Sequence, residues 1–410
     1  MAQPSFLFIT GTARSGTNLV SRLLSAHPAV TVAIDPFLPL IRSFRNAVIR
    51  DRCDAEMALR FTEAPFQDYY FTDERLAVMD AIQEADLGMA FDSGERNGLL
   101  SALRARASLE SPDVVPLLDR LSGMTFRELF DSALAMVGET RGSTGWRYVG
   151  IKEVWTIEFC AALARAYGDG KFIVIMRDPR AVVASMHTLA EKDSSQRAHT
   201  LSYARHWRKC AAFCKHYQKL PLLKNRFHMV RYEDLVADPE SVTRRLCEFL
   251  EIDFLPQMTQ TDNFWDPATK KLWQGNSSYT DRLGGIDRKS ADRWRDTLDQ
   301  SALKVIELAC APEMNLFDYQ SSGPCGCMIS DPEIFDFLLR DGATKCSWRS
   351  DFGDVQLDYG FELFRHALIG TRNAAQDPVV LRRAFLFNDL LDVIQQKALS
   401  ANSALLEPST

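Results

Sequence analysis

No run of about eighteen uninterrupted apolar residues occurs in the chain, so a membrane-spanning helix is not expected. Basic residues are not in excess: 48 Lys and Arg stand against 54 Asp and Glu, with a formal net charge of −6 and a pI of about 5.7. That balance weighs against nucleic acid or another polyanion as partner, although a local basic patch can still hold a phosphate. The seven histidines and nine cysteines form no metal-ligand spacing, and no metal is expected. Cys325-Gly-Cys327, the closest pair, reads as two loop thiols. Odd, scattered cysteines suit a reducing cytosol, so a cytoplasmic location is expected. The apolar run Phe6–Ile9 meets a Gly/Ser loop at Gly11, which leaves no room for a basic n-region and a long h-region, and no signal peptide is expected. No internal repeat is evident.

What is present is an ordinary globular composition. Of 410 residues, 46% are apolar and 25% charged, with a mean hydropathy of −0.17. The length allows two or three domains. Four short apolar or β-branched runs, Ser5–Thr10, Tyr148–Ile151, Lys171–Met176 and Phe227–Tyr232, read as buried parallel strands, and each precedes a helical pattern. Leu19, Val20, Leu23 and Leu24 keep helical spacing until Pro28. Residues 157–166 read as helix. Pro179 suits a first helical turn, with Val182, Met186 and Leu189 on one face, and Pro239 opens another helix. Strands alternating with helices predict a three-layer α/β/α fold around a central parallel sheet.

Residues 36–144 read as a mostly helical insertion. Its aromatic cluster at 64–71 either lines an acceptor pocket or packs in the core. Residues 320–410 read as a mainly helical C-terminal extension. There Val380, Ala384, Phe387, Leu391 and Ile394, at spacings of four and three, read as one helix whose stripe serves as core or as a partner seam, a candidate surface for homo-oligomerisation.

Two segments carry chemistry. Gly11-Thr-Ala-Arg14-Ser15-Gly16-Thr17 follows a strand and opens a helix, where backbone N–H groups make an anion cradle. Its two glycines are spaced as in a nucleotide-triphosphate loop, G-x-x-x-x-G-K-[ST]. Thr17 stands where that loop has lysine, and the cation sits inside the loop as Arg14. A triphosphate enzyme needs that lysine and a hydroxyl on Mg²⁺, so this loop suits a metal-free phosphate carrying a transferable group. The second segment, Phe172-Ile-Val-Ile-Met-Arg177-Asp-Pro-Arg-Ala-Val-Val-Ala-Ser185, ends a strand in a planar phosphate fork and places Ser185 eight residues on in a helix. Read alone, it could be a surface Arg–Asp pair or an Mg²⁺-holding Asp178.

Together these segments resemble the PAPS-dependent sulfotransferases, where PAPS is 3′-phosphoadenosine 5′-phosphosulfate. Residues 11–24 look like the family's 5′-phosphosulfate loop and residues 173–185 like its 3′-phosphate motif. The stretch Val230-Arg-Tyr232-Glu-Asp-Leu-Val-Ala-Asp-Pro239 resembles the Y-E-D-L…P segment, whose tyrosine lies near the adenine. Arg288-Lys289-Ser290-Ala-Asp-Arg-Trp294 is similar to the R-K-G…G-x-W segment that closes over the 3′-phosphate, one residue shorter and with Ser290 for glycine. The resemblance spans residues 5–319, and residues 1–319 are taken as a sulfotransferase domain whose 36–144 insertion covers the acceptor site.

It implies transfer of a sulfuryl group from PAPS to a hydroxyl or amino group of a small-molecule acceptor, leaving 3′,5′-adenosine bisphosphate. It assigns cofactor contacts to Arg14, Ser15, Gly16, Thr17, Asn18, Leu19, Arg177, Ser185, Tyr232, Arg288 and Lys289. Arg14 takes the loop-cation position, as in the protein-tyrosine and many bacterial members. Lys152 matches a sulfate-holding lysine, its alternative being a surface lysine beside Glu153. Asp35, 21 residues after Arg14, stands where the protein-tyrosine branch places its catalytic glutamate, though Asp before Pro is also an ordinary turn. The phenol branch's histidine is replaced by Val154. His27 and His187 read as packing or capping residues, and His199 and His206 as pocket residues without a spacing argument. The alternatives are a P-loop kinase, which would need Mg²⁺, and a nucleotide-binding module without turnover.

Overall fold

The computed structural model describes residues 3–64, 66, 70–140, 145–192, 199–266, 270–273, 285–321, 332–342, 354–371 and 377–404. The Cys325–Cys327 pair lies outside these residues, as do four positions of the 64–71 cluster. Five parallel strands form the central sheet: β1 (Ser5–Gly11), β2 (Val30–Ile34), β3 (Tyr148–Lys152), β4 (Lys171–Met176) and β5 (Phe227–Arg231), in the order β2-β3-β1-β4-β5. This is the expected α/β fold, with helices flanking a parallel sheet. One strand, β2, is additional to the four read from the sequence. Its Val-Thr-Val-Ala-Ile run is strand-like, but it is only five residues long and follows a strongly amphipathic helix.

The centre of the sheet is apolar for a physical reason. Parallel strands covered on both faces must be hydrophobic along their whole length rather than alternately. Leu7, Phe8, Ile9 and all of Phe172–Met176 are fully buried, and Phe8 meets Phe172 edge-on with ring centroids 6.2 Å apart. The open side of β2 is closed by hydroxyls rather than by another strand. Ser25 accepts from the Val32 N–H at 3.1 Å and Ser111 from the Ile34 N–H at 2.9 Å, which satisfies an edge that would otherwise invite pairing.

From β1 the chain crosses towards β3 and β2, and from β4 it continues outward to β5. The crossovers therefore diverge between neighbouring strands β1 and β4, paired through Gly11 and Ile175. A parallel sheet opens a crevice at the carboxyl ends of such a pair. The Gly11–Thr17 loop leaves β1 there and Arg177 leaves β4.

The chain divides into two compact units. The first comprises residues 1–63, 78–177 and 217–289 and contains the sheet; the second comprises 64–77, 178–216 and 290–410. Segments are thus interleaved, and the residues beyond 319 share their unit with three earlier stretches. In the second unit the helix Val355–Gly370 packs charges into the interior. Glu362 accepts from Arg205 at 2.8 Å and from Arg208 at 2.5 Å, and Arg365 pairs with Glu313. All five side chains are buried. Burial alone would raise the Glu362 carboxyl, but Arg208, Arg205 and Arg365 outweigh it and pull it down to about 2. Phe71, from the 64–71 cluster, packs its ring 5.8 Å from Phe361. The stripe at residues 380–394 is not one helix. Helices Pro378–Phe385 and Leu390–Ala404 are separated at Leu386, whose φ of 67° lies in the left-handed region. Phe387, in the break, stacks on His216 at 4.0 Å.

Glu362→Ala takes from Arg208 and Arg205 the carboxylate they share, leaving Arg205 with Asp358 and Arg365 with Glu313, and chemical denaturation should show a loss of about 3–5 kcal/mol. In the wild type the Glu362 contribution is present above the ordinary carboxylate range and is lost as pH falls through about 2. A loss near zero in the variant would mean that the three cations are not stabilised by this carboxylate.

Candidate active site

The loop after β1 is shaped by two residues in the left-handed region, Arg14 (φ 65°) and Gly16 (φ 95°). Between them Ser15 turns its hydroxyl inward to donate to the Thr12 carbonyl at 2.7 Å. Gly16 then caps the helix Thr17–Ser25, which has no side-chain cap and no acidic residue in its first turn. Its first N–H groups have no intrahelical acceptor and lie at the positive end of the helix dipole. Gly16 is also required sterically. A Cβ there would lie 2.3 Å from Cδ2 of Tyr232, so the ring of the helix Tyr232–Ala237 closes one side of the loop. Arg177 covers that ring with its guanidinium carbon 4.4 Å from the centroid and donates to the Arg14 carbonyl at 2.7 Å. Thr12 is buried, and its Oγ1 has no hydrogen-bond partner. A buried, unbonded hydroxyl beside an uncapped helix end fits a loop built to receive an anion.

The second half of the site lies where β2 and β3 end. Lys152, the last residue of β3, is 2% exposed, so it is no surface lysine. Its Nζ meets Oδ2 of Asp35 at 2.5 Å. Asp35 follows β2 with a φ of 52° and donates its own N–H to the Lys152 carbonyl at 2.8 Å. Its Oδ1 receives the Val154 N–H at 3.5 Å and lies 3.8 Å from Arg106. The Arg106 Nε also donates to the Asp35 carbonyl at 3.0 Å. Glu110, one turn further along the helix Arg96–Glu110, belongs to the same group of charges. Burial first and Asp35 second raise its carboxyl, against Lys152, Arg22 and Arg106. Glu153 is fully buried and raised to about 8, mainly by burial and then by Asp35.

A sulfotransferase family model matches residues 4–256. The chain belongs to the sulfotransferase family. Mouse carbohydrate sulfotransferase 7 is 33% identical to it over 105 residues, which are 25% of this chain and 20% of that protein. The chain thus spans about a fifth of that relative's length. A Caenorhabditis briggsae protein named "Putative protein-tyrosine sulfotransferase" is 25% identical over 226 residues, covering 53% of this chain and 78% of the relative. Among solved structures, the sulfotransferase domain of the Synechococcus olefin synthase superposes with a TM-score of 0.43 at 17% identity, over 78% of this chain and 97% of that domain.

In this chain the first unit brings together most of the residues singled out from sequence. Arg14, Ser15, Gly16, Thr17, Asn18 and Leu19 form the loop and first helical turn, with Arg177 and Tyr232 against it. Asp35 and Lys152 meet in a buried pair. Arg288 and Lys289 are exposed in a short 3-10 helix. Ser185 lies on the helix Pro179–Lys192 of the second unit and is buried. Asp178 is committed to Arg180, at 2.6 Å, and Arg180 also reaches Glu307 at 2.8 Å. His27 accepts from the Ala29 N–H as a local cap, and burial lowers its pKa. His187 lies 3.1 Å from the Thr200 hydroxyl. His206 is fully buried, and burial followed by Lys209 holds it well below the usual histidine range.

Three residues escaped the sequence reading: Arg106, Glu110 and Glu153. The first two lie four apart on one helix of the insertion, a spacing common on any solvated helix. Glu153 was visible beside Lys152, but its burial was not.

Gly16→Ala should lower the melting temperature through the clash with Tyr232 and the left-handed backbone. In a Tyr232→Ala background the same substitution should cost measurably less, because the ring contact is gone. Equal losses in both backgrounds would show that the contact does not constrain the loop.

Proposed function

We propose that this sulfotransferase uses PAPS as donor and sulfates a hydroxyl or amino group of a small-molecule acceptor by in-line displacement. The observation that carries the reading is the uncapped Gly11–Leu19 loop at the β1/β4 crevice, together with a buried Lys152–Asp35 pair at the ends of β3 and β2. PAPS, when bound, would supply the sulfuryl group, with 3′,5′-adenosine bisphosphate leaving through its 5′-phosphate oxygen. The N–H groups of the first helical turn and the Thr12 hydroxyl hold the 5′ side through the loop. Arg14 offers the cation against which negative charge is stabilised, the term expected to dominate this class of transfer. Arg177 and Tyr232 hold the 3′-phosphate and the adenine, with Ser185, Arg288 and Lys289 joining them by sequence resemblance. Asp35 takes the acceptor's proton, and Lys152 orients that carboxylate and adds positive charge beside the sulfuryl group.

A small acceptor agrees with the chain's acidic balance, which disfavours polyanionic glycosaminoglycans. The described helices include none long and apolar enough to cross a membrane.

Calorimetry with 3′,5′-adenosine bisphosphate in EDTA should give tight binding that ATP does not match. A preference for Mg-ATP would overturn the donor assignment in favour of a kinase. Arg14→Ala should reduce sulfuryl transfer from PAPS by more than about 100-fold. Asp35→Asn should depress turnover while leaving bisphosphate affinity nearly unchanged. Survival of turnover in Asp35→Asn would assign the base elsewhere.

A further inference from the structure

Glu153 follows Lys152 directly and has no part in the chemistry described so far. Its Oε1 accepts from the Phe37 N–H, a bond that ties the Asp35–Phe37 turn to the end of β3. Its Oε2 is buried and makes no hydrogen bond. An unbonded oxygen in a closed interior is costly on a carboxylate and far less so on a neutral carboxyl. Three charged groups face it: Asp35 from the end of β2, Arg106 from the insertion helix and Lys152 from β3. Lys152 bonds to Asp35, and the Arg106 guanidinium donates to the Asp35 carbonyl. Glu153 has neither cation as a hydrogen-bond partner.

We propose that Glu153 is a positioning residue for Asp35: its bond to Phe37 fixes the turn that carries Asp35, and its proton keeps a second negative charge away from the Asp35–Lys152 pair. The left-handed φ of 52° at Asp35 is uncommon for a residue with a side chain and needs such a restraint. Two carboxyls beside one lysine divide their roles, one ionised and one neutral, when burial falls unequally on them. Here burial falls hardest on Glu153, and the Asp35 charge adds to it. The carboxyl is raised to about 8 against the opposing pull of Arg106, the Phe37 N–H and Lys152. Glu153 then stays neutral beside the pair at neutral pH and adds a competing carboxylate in mild alkali. The catalytic consequence rests on Asp35 as base of the proposed transfer; the turn and the proton do not.

The test is a ¹³C titration of the full chain, labelled at the Glu and Asp carboxyl carbons, from about pH 5 to about pH 10. Signals are assigned with Glu153→Gln and Asp35→Asn. Glutamine keeps an oxygen for the Phe37 N–H and loses the ionisation. A glutamate signal absent from Glu153→Gln should titrate near pH 8, and the Asp35 signal should show a step at the same pH that the variant abolishes. At about pH 6 the Asp35 signal should match wild type in Glu153→Gln and be displaced in Glu153→Leu, which cannot accept from Phe37. A wild-type spectrum with no glutamate titrating near pH 8 overturns the proposal even if neither variant folds. Persistence of the Asp35 step in Glu153→Gln overturns it as well. Calorimetry with 3′,5′-adenosine bisphosphate on the same wild-type sample separates the two readings. Binding without the glutamate step sinks this inference alone, and the step without binding sinks the donor reading alone.

Discussion

A parallel sheet covered on both faces brings the carboxyl ends of all its strands to one edge, and this constraint organises the molecule. The strand interiors are excluded from charge by burial, so polar chemistry collects where the strands stop. At β1 the exit is the Gly11–Thr17 loop, at β4 it is Arg177, and at β2 and β3 it is the Asp35–Lys152 pair. In the first unit each of these groups is held by backbone as well as by side chain. The Arg14 carbonyl receives Arg177, and the Lys152 carbonyl receives the Asp35 N–H.

Burial gives these charges their character. Lys152 and Asp35 are removed from water together, so each depends on the other, and the surrounding Arg106, Glu110 and Glu153 set the local field. Taking a pair out of solvent is tolerated only when geometry and further hydrogen bonds compensate. The Val154 N–H and the Arg106 guanidinium supply that compensation around Asp35. The second unit applies the same rule in its interior. Glu362 is shared among Arg205, Arg208 and Arg365 in an interior that also holds Glu313. The helix Val355–Gly370 is thereby fastened by charge as well as by apolar contact.

The sheet was legible in sequence where continuous apolar runs marked central strands. Lys171–Met176 matches its expected limits, and Tyr148–Ile151 extends by one residue. The edge strand β2 was hidden because five residues after a helix give little periodicity to read. The C-terminal stripe misled for the opposite reason: spacings of four and three continue across Leu386, and periodicity does not register a single left-handed residue that ends one helix and lets another begin.

The sequence by itself determined the elements whose chemistry is local. A glycine-flanked loop between strand and helix, an arginine ending an apolar run, and a proline opening a helix act through neighbours a few residues away. Only the tertiary structure decided the partners of Asp35. Lys152 is 117 residues distant in the chain, and Arg106 comes from the insertion. Their meeting depends on β2 pairing with β3, with Ile34 opposite Lys152, and no short-range spacing encodes a pairing across so long a loop. Glu153 shows the same division: its identity was plain beside Lys152, but its proton is set by how completely the fold excludes water.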